Sequence, residues 1–184
     1  MRLIVAITGA SGVVYGKRLL EALRERKVET YLIVSKAAES VIEHELKTTK
    51  RELEKLAIHL YDVNDLSAPI VSGSFKTDGM IVIPCSMKTL AGIAHGYSEN
   101  LILRAADVTL KEKRKLILVP RETPLSVVHL RNMLNLASQG VFILPAMPAY
   151  YHKPEKLEDL IDFIVGKALD LLGIEHGLFK RWSS

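Results

Sequence analysis

Small residues, hydroxyls and cations gather in five short stretches of this chain. Val5-Ala-Ile-Thr8 runs straight into Gly9-Ala-Ser-Gly12, and a helical pattern follows at once. Later come Ser35-Lys36, Pro84-Cys-Ser-Met-Lys-Thr89, Pro120-Arg-Glu-Thr-Pro124 and Pro145-Ala-Met-Pro-Ala-Tyr-Tyr151, each directly after an apolar run. Gly9 and Gly12 let backbone approach a ligand closely, and Ser11 adds a hydroxyl. Free N–H groups at a helix start favour an anion, and a phosphate suits them well. Ser86, Thr89 and Lys88 offer a second polar cradle. Gly9, Gly12 and Gly16 do not make G-x-G-x-x-G, and no G-K-[ST] follows to make a P-loop. A tight strand–helix junction would use the same small residues.

Other side chains read two ways. Ser35 suits a helix N-cap, a role compatible with ligand contact. Arg121 stands where a cation would face a crevice, with Glu122 beside it; a surface ion pair is the alternative. Arg104 and Lys111 are seven apart and share one helix face, which fits a solvated surface. Lys167 reads as a surface lysine. Val41-Ile-Glu-His-Glu45 offers two carboxylates and His44, and the residues alone do not choose among them. Trp182, the one tryptophan, fits a residue that packs the tail down. Cys85 reads as a small buried hydrophobe, without a Cys/His/Asn signature around it. The six histidines show no metal spacing and no H-E-x-x-H, so no metal is expected.

These residues need a scaffold, and the pattern supplies one. The 184 residues suit a single domain with a substantial core. A net charge of +4 without a long Lys/Arg block argues against a nucleic-acid arm and fits an anionic small ligand. One cysteine excludes an internal disulfide and a cysteine-built zinc site, and points to a reducing, cytoplasmic setting. No apolar run approaches the ~18 residues of a membrane span. Short apolar runs alternate with longer amphipathic ones, the signature of βαβ units and a parallel sheet. Strands are expected at Arg2–Thr8, Thr30–Ser35, Ile58–Asp62, Gly79–Pro84, Lys115–Val119 and Val141–Ala146. Continuous runs such as Met80-Ile-Val-Ile83 fit strands covered on both faces. Helices are expected at Val13–Arg26, Lys36–Glu45, Lys50–Ala57, Met87–His95, Ser98–Arg114, Pro124–Gln139 and Lys156–Leu172, with Gly140 and Gly173 as C-caps. In such a sheet ligands sit beyond the carboxyl ends of the strands, where all five polar stretches converge.

Longer motifs carry a resemblance. Thr8-Gly-Ala-Ser-Gly-x-x-Tyr15, Val34-Ser-Lys-Ala-Ala38, Asn64-Asp65 with Ser72-Gly-Ser74, and Pro84-Cys-Ser-Met-Lys-Thr-Leu-Ala91 resemble the UbiX flavin prenyltransferases. So do Asn100-Leu-x-x-Arg-Ala-Ala-Asp-Val-x-Leu-Lys-Glu112, Arg121-Glu-Thr-Pro-Leu-Ser126, His129-Leu-x-Asn-Met-Leu134 and Pro145-x-x-Pro-Ala-x-Tyr-x-x-Pro154. The ending, Leu172-Gly-Ile-Glu-His-x-x-x-x-Arg-Trp182, agrees too. The resemblance spans the whole chain, 1–184, as one flavin-binding α/β domain.

It implies a Rossmann-like or flavodoxin-like three-layer sandwich that binds FMN. The implied reaction joins a dimethylallyl group from dimethylallyl monophosphate to N5 and then C6 of reduced FMN. The prenylated FMN passes to UbiD-type decarboxylases, and the family assembles as homo-dodecamers with sites at subunit contacts. By this similarity Gly9, Ala10, Ser11, Ser35, Ser86, Met87, Lys88, Thr89 and Arg121 bind FMN. Tyr151, Lys167, Arg104 and Lys111 bind the donor phosphate. Glu45, Ser11, Lys111, Glu122 and Trp182 serve the chemistry, with Trp182 reaching a neighbouring subunit's site. The family commonly carries Arg at position 167; Lys keeps the charge and loses the bidentate fork. Positioned cations would stabilise the departing phosphate, since no D-D-x-x-D is present to hold magnesium. Glu45 and the retained phosphate are candidate acid and base. Two other functions compete: a flavin-dependent decarboxylase of the cysteine-decarboxylase fold group, and a non-catalytic FMN carrier.

Overall fold

Apolar runs covered on both faces become six parallel strands of one sheet in the computed structural model, which describes residues 1–182. The strands are β1 (Arg2–Ile7), β2 (Glu29–Val34), β3 (His59–Tyr61), β4 (Gly79–Cys85), β5 (Lys115–Pro120) and β6 (Phe142–Ile143). Their order across the sheet is β3-β2-β1-β4-β5-β6, and every pairing is parallel. The order reverses between β1 and β4, so a crevice opens there beyond the strands' carboxyl ends.

Seven helices cover the faces: α1 (Val13–Glu25), α2 (Lys36–Leu46), α3 (Lys50–Glu54), α4 (Met87–Ala94), α5 (Leu101–Lys111), α6 (Val127–Ser138) and α7 (Leu157–Leu172). Strand side chains alternate between the two resulting cores. Leu3, Val5 and Ile7 pack under α1, α2 and α7; Ile4 and Ala6 pack under α4, α5 and α6. The expected three-layer architecture is therefore present, with a sheet that is wholly parallel.

Boundaries shift where caps act. Ser126 accepts the His129 N–H at 3.2 Å and starts α6 at Val127 rather than at Pro124. Asn100 accepts the Leu103 N–H at 3.1 Å and starts α5 at Leu101 rather than at Ser98. β6 pairs over two residues only, although Leu144 and Ala146 still donate to Leu118 and Pro120 at 2.8 and 3.0 Å. Gly173 caps α7 at φ 77°, as expected; Gly140, at φ 87°, follows the α6 cap Gln139.

Helix α1 lies flush on the sheet because position 16 has no side chain. A Cβ there would sit 2.6 Å from the Ile83 carbonyl oxygen and 2.8 Å from Ile7 Cδ1. Alanine gains about 1 kcal/mol of helix propensity over glycine. Overlap with a packed backbone costs about 1–3 kcal/mol. Overlap should win, so Gly16→Ala is expected to lower the urea midpoint by the equivalent of up to about 2 kcal/mol. An unchanged or higher midpoint would mean that α1 rides off the sheet.

Candidate active site

At the point where β1 and β4 part, Thr8 binds the two strand ends together. Its hydroxyl donates to the Pro84 carbonyl at 2.7 Å and accepts the Ser86 N–H at 2.8 Å, fully buried. Residues on either side of this tie line a cavity of about 440 Å³, a size ordinary for a small-molecule site. Gly9, Ser35, Ser86, Lys88 and Thr89 lie on its wall, with Asn64 and Asn100. A Cβ on Gly9 would meet the Ala37 methyl at 2.6 Å, so glycine keeps the loop and the start of α2 in contact. Ser35 caps α2 through the Ala38 N–H (3.1 Å), and Ser86 caps α4 through the Thr89 N–H (3.3 Å). Both helix starts, with their partial positive charge, thus border the cavity. Ala10 is buried, and Met87, half-buried, opens α4 and packs on the core beneath it.

Helix α1 has no side-chain cap of its own. Gly12 stands at its N-cap with φ 99°, a left-handed backbone that glycine adopts without strain. The Glu45 carboxylate, from the end of α2, takes over the capping. Its Oε2 accepts the N–H groups of Gly12 (2.9 Å) and Val13 (3.2 Å). Glu45, and not Glu43 or His44, is therefore the group brought to the exposed Ser11 loop.

Arg121 follows β5, with its N–H donating to the Cys85 carbonyl at 3.4 Å. Its guanidinium Nε is buried and has no hydrogen-bond partner. With the exposed Glu122 it borders a second, narrow cavity of about 90 Å³, beside Met133 and Met147. Cys85 is fully buried, and burial pushes its thiol up, away from the thiolate form. That fits a small core residue, as expected.

Tyr151 belongs to a different cluster, built on α7. Its ring meets Phe163 edge-on at 5.8 Å and Trp182 edge-on at 5.4 Å. Trp182 therefore lies against its own chain's Tyr151. Lys167 sits one turn beyond Phe163, with Nζ 3.8 Å from Asp170. His152 stacks on Phe163 at 5.2 Å, and both of its ring nitrogens are buried without a partner. Partial burial acts to raise the Asp170 carboxyl. The hydrogen bond and charge of Arg181, with His176, overcome it and hold the group below the usual carboxylate range. The sequence offered no role for Thr8, His152 or Asp170; a lone residue inside a motif gives no sign of what it bonds across the fold.

Neither Arg104 nor Lys111 lines the crevice cavity, though Asn100 and Ile102 at the start of the same helix do. The two cations share the outer face of α5, where Arg104 is ion-paired to Asp107 at 2.7 Å and Lys111 to Glu112. Glu112 and Arg114 adjoin Met1 and Arg2, at the amino ends of the strands. Six-residue strands at about 3.3 Å per residue put that end roughly 20 Å from the crevice. One chain therefore unites Gly9, Ser35 and Ser86 to Thr89 around its crevice, and Tyr151 and Trp182 beside α7, which carries Lys167, but brings Lys111 to neither.

Comparisons with known proteins agree with this geometry. The family described as Flavoprotein matches residues 1–169. Flavin prenyltransferase UbiX of Methanocaldococcus jannaschii is 52% identical over 184 residues, covering 100% of both chains. A structure of a dodecameric FMN-dependent UbiX-like decarboxylase from Escherichia coli O157:H7 superposes with a TM-score of 0.98 at 53% identity, covering 100% of both chains. That of AnUbiX (PadA1) in complex with FMN and dimethylallyl pyrophosphate gives 0.98 at 51% identity, covering 100% of this chain and 97% of that one. The peptidyl-cysteine decarboxylase EpiD, 16% identical with a TM-score of 0.65, shares the fold alone. Full-length identity above one half makes the chain a member of the UbiX family of flavin prenyltransferases.

Proposed function

We propose that this chain joins the dimethylallyl group of dimethylallyl monophosphate to N5 and C6 of reduced FMN, making prenylated FMN for a UbiD-type decarboxylase. One observation carries the reading. Among the described residues, the buried side-chain groups that lack a partner are Arg121 Nε, at the end of β5 on the narrow cavity, and the His152 ring, beside Tyr151. A buried donor without an acceptor is costly, and a bound anion removes that cost. Two such donors, in two clusters, suit two phosphorylated guests held side by side.

Reduced FMN, when bound, would supply N5 and C6 as nucleophiles: the N5–C bond would replace the allylic C–O bond and the N5–H, with phosphate as leaving group, and the C6–C bond would replace the C6–H as the alkene takes up a proton. The chain's own residues do the rest. Gly9, Ala10, Ser35 and Ser86 to Thr89 hold the flavin at two helix starts, with Arg121. Tyr151 and Lys167 grip the donor phosphate, and preset cations stabilise it as it departs. The Glu45 carboxylate, aimed by the Gly12 and Val13 amides, is placed to move a proton near Ser11. Glu122 lends a second carboxylate beside Arg121, and the Trp182 face steadies positive charge developing on the allyl group. Arg104 and Lys111 belong, in this reading, to the site of a neighbouring subunit in a homo-oligomer, a dodecamer by family likeness.

Anaerobic incubation with reduced FMN and dimethylallyl monophosphate should yield a flavin heavier by one five-carbon unit on mass spectrometry. Unaltered flavin would sink prenyl transfer and leave an FMN carrier; carbon dioxide released from a cysteine-ended peptide would favour the decarboxylase. Glu45→Gln keeps an acceptor for the Gly12 amide, so FMN affinity should hold while transfer slows by about a hundredfold or more.

Subunit sharing has its own test. Lys111→Ala and Glu45→Gln chains, each nearly inactive alone, should regain activity when unfolded together and reassembled as mixed oligomers. Mixtures no more active than their parents would confine each site to one chain.

A further inference from the structure

The ending Leu172-Gly-Ile-Glu-His176…Arg181-Trp182 serves the proposed chemistry only through its last residue, yet the whole segment is anchored. After Gly173 the chain doubles back along α7. The Leu178 N–H donates to His176 Nδ1 at 3.2 Å, which leaves the ring proton on Nε2. Nε2 then donates to Asp170 Oδ1 at 3.2 Å, with the imidazole wholly buried. Arg181 grips the same carboxylate with two nitrogens, at 2.7 and 3.3 Å.

Between these anchors the tail presses into α7. A Cβ on Gly166 would lie 2.5 Å from the Phe179 ring and 2.7 Å from His176. The bare glycine thus forms the groove in which both side chains sit. Phe179 continues onto Phe163 at 4.9 Å, and Phe163 supports Tyr151. The exposed Arg181 pair alone is worth little. The buried His176 and Phe179 contacts decide where the segment lies, and with it Trp182.

We propose that Asp170, His176 and the bare Gly166 form a positioning strap that fixes Trp182 against Tyr151 and keeps Lys167 beside them, completing the half of the site that takes the allylic phosphate. The role rests on the prenyl-transfer reading above. None of the three residues need touch donor or flavin; they act through Trp182, Tyr151 and Lys167. Asp170 alone joins the tail to the phosphate-binding lysine, being shared by His176, Arg181 and Lys167.

The test uses the FMN-loaded oligomer and two variants, Gly166→Val and the isosteric Asp170→Asn. Trp182, the sole tryptophan, reports the strap directly. Its fluorescence anisotropy should fall in both variants, while FMN affinity stays within twofold of the parent. The affinity of the oxidised, non-reacting holoprotein for dimethylallyl monophosphate should weaken tenfold or more. In turnover the donor KM should rise tenfold and kcat at saturation fall less than threefold. Asp170→Glu, which keeps the charge, should recover part of the loss. Should Gly166→Val fail to fold, Asp170→Asn carries the same readouts. Released Trp182 with unchanged donor affinity would overturn the proposal, as would weakened affinity with Trp182 still held. If the parent binds donor but transfers nothing, the function reading fails and the strap is judged on affinity alone. If the parent binds no donor, both fall.

Discussion

One threonine hydroxyl closes the centre of this sheet. β1 and β4 part at the switch point, where the Ser86 N–H would otherwise lack a partner and the Pro84 carbonyl would keep only the Thr8 N–H at 3.2 Å. Thr8 answers both sides, donating to Pro84 and accepting from Ser86 within a fully buried site. That bond sets the separation of the Gly9–Gly12 loop from the start of α4. Ser86 can then cap its helix, and the cavity between the loop and the α2 and α4 starts keeps its walls. A buried hydroxyl with both roles satisfied is rigid, because losing either partner strands a polar group away from water.

Charge around that centre is arranged for anions, with one deliberate exception. Helix starts, Lys88 and Arg121 all favour a phosphate. Glu45 takes the start of α1 for itself, where a serine or aspartate would commonly serve as cap. The carboxylate thereby gains two amide donors and a fixed address beside Ser11. A helix end that lacks its own cap becomes the means of holding a carboxylate from another helix.

The two clusters of one chain differ in how they are built. The crevice is made by strand ends and helix starts, so its geometry follows from the sheet. The α7 cluster is made by side chains on a helix and a returning tail, and it depends on a missing side chain at Gly166 and a shared carboxylate at Asp170. Lys111 belongs to neither, since α5 starts at Asn100 on the cavity wall, runs antiparallel to the strands and carries Lys111 to their amino ends.

The strands were legible in the sequence because a sheet covered on both faces demands continuous apolar runs, and Met80-Ile-Val-Ile83 supplies one. The polar stretches behind five of the strands were legible too, since a parallel sheet carries all its carboxyl ends to one edge. The seven-residue spacing of Arg104 and Lys111 correctly put them on one helix face. It could not say which end of the sheet that face would meet, because helix direction is settled by the crossover. Nor could Val41-Ile-Glu-His-Glu45 say which of its polar members meets another element; only the packing of α2 beside α1 brings Glu45 onto the Gly12 amide. Local periodicity determined which residues are inside and where elements begin. Around the crevice, contacts between residues over thirty positions apart decided which polar groups meet, since such meetings depend on how strands are ordered, and strand order leaves no local trace in the chain.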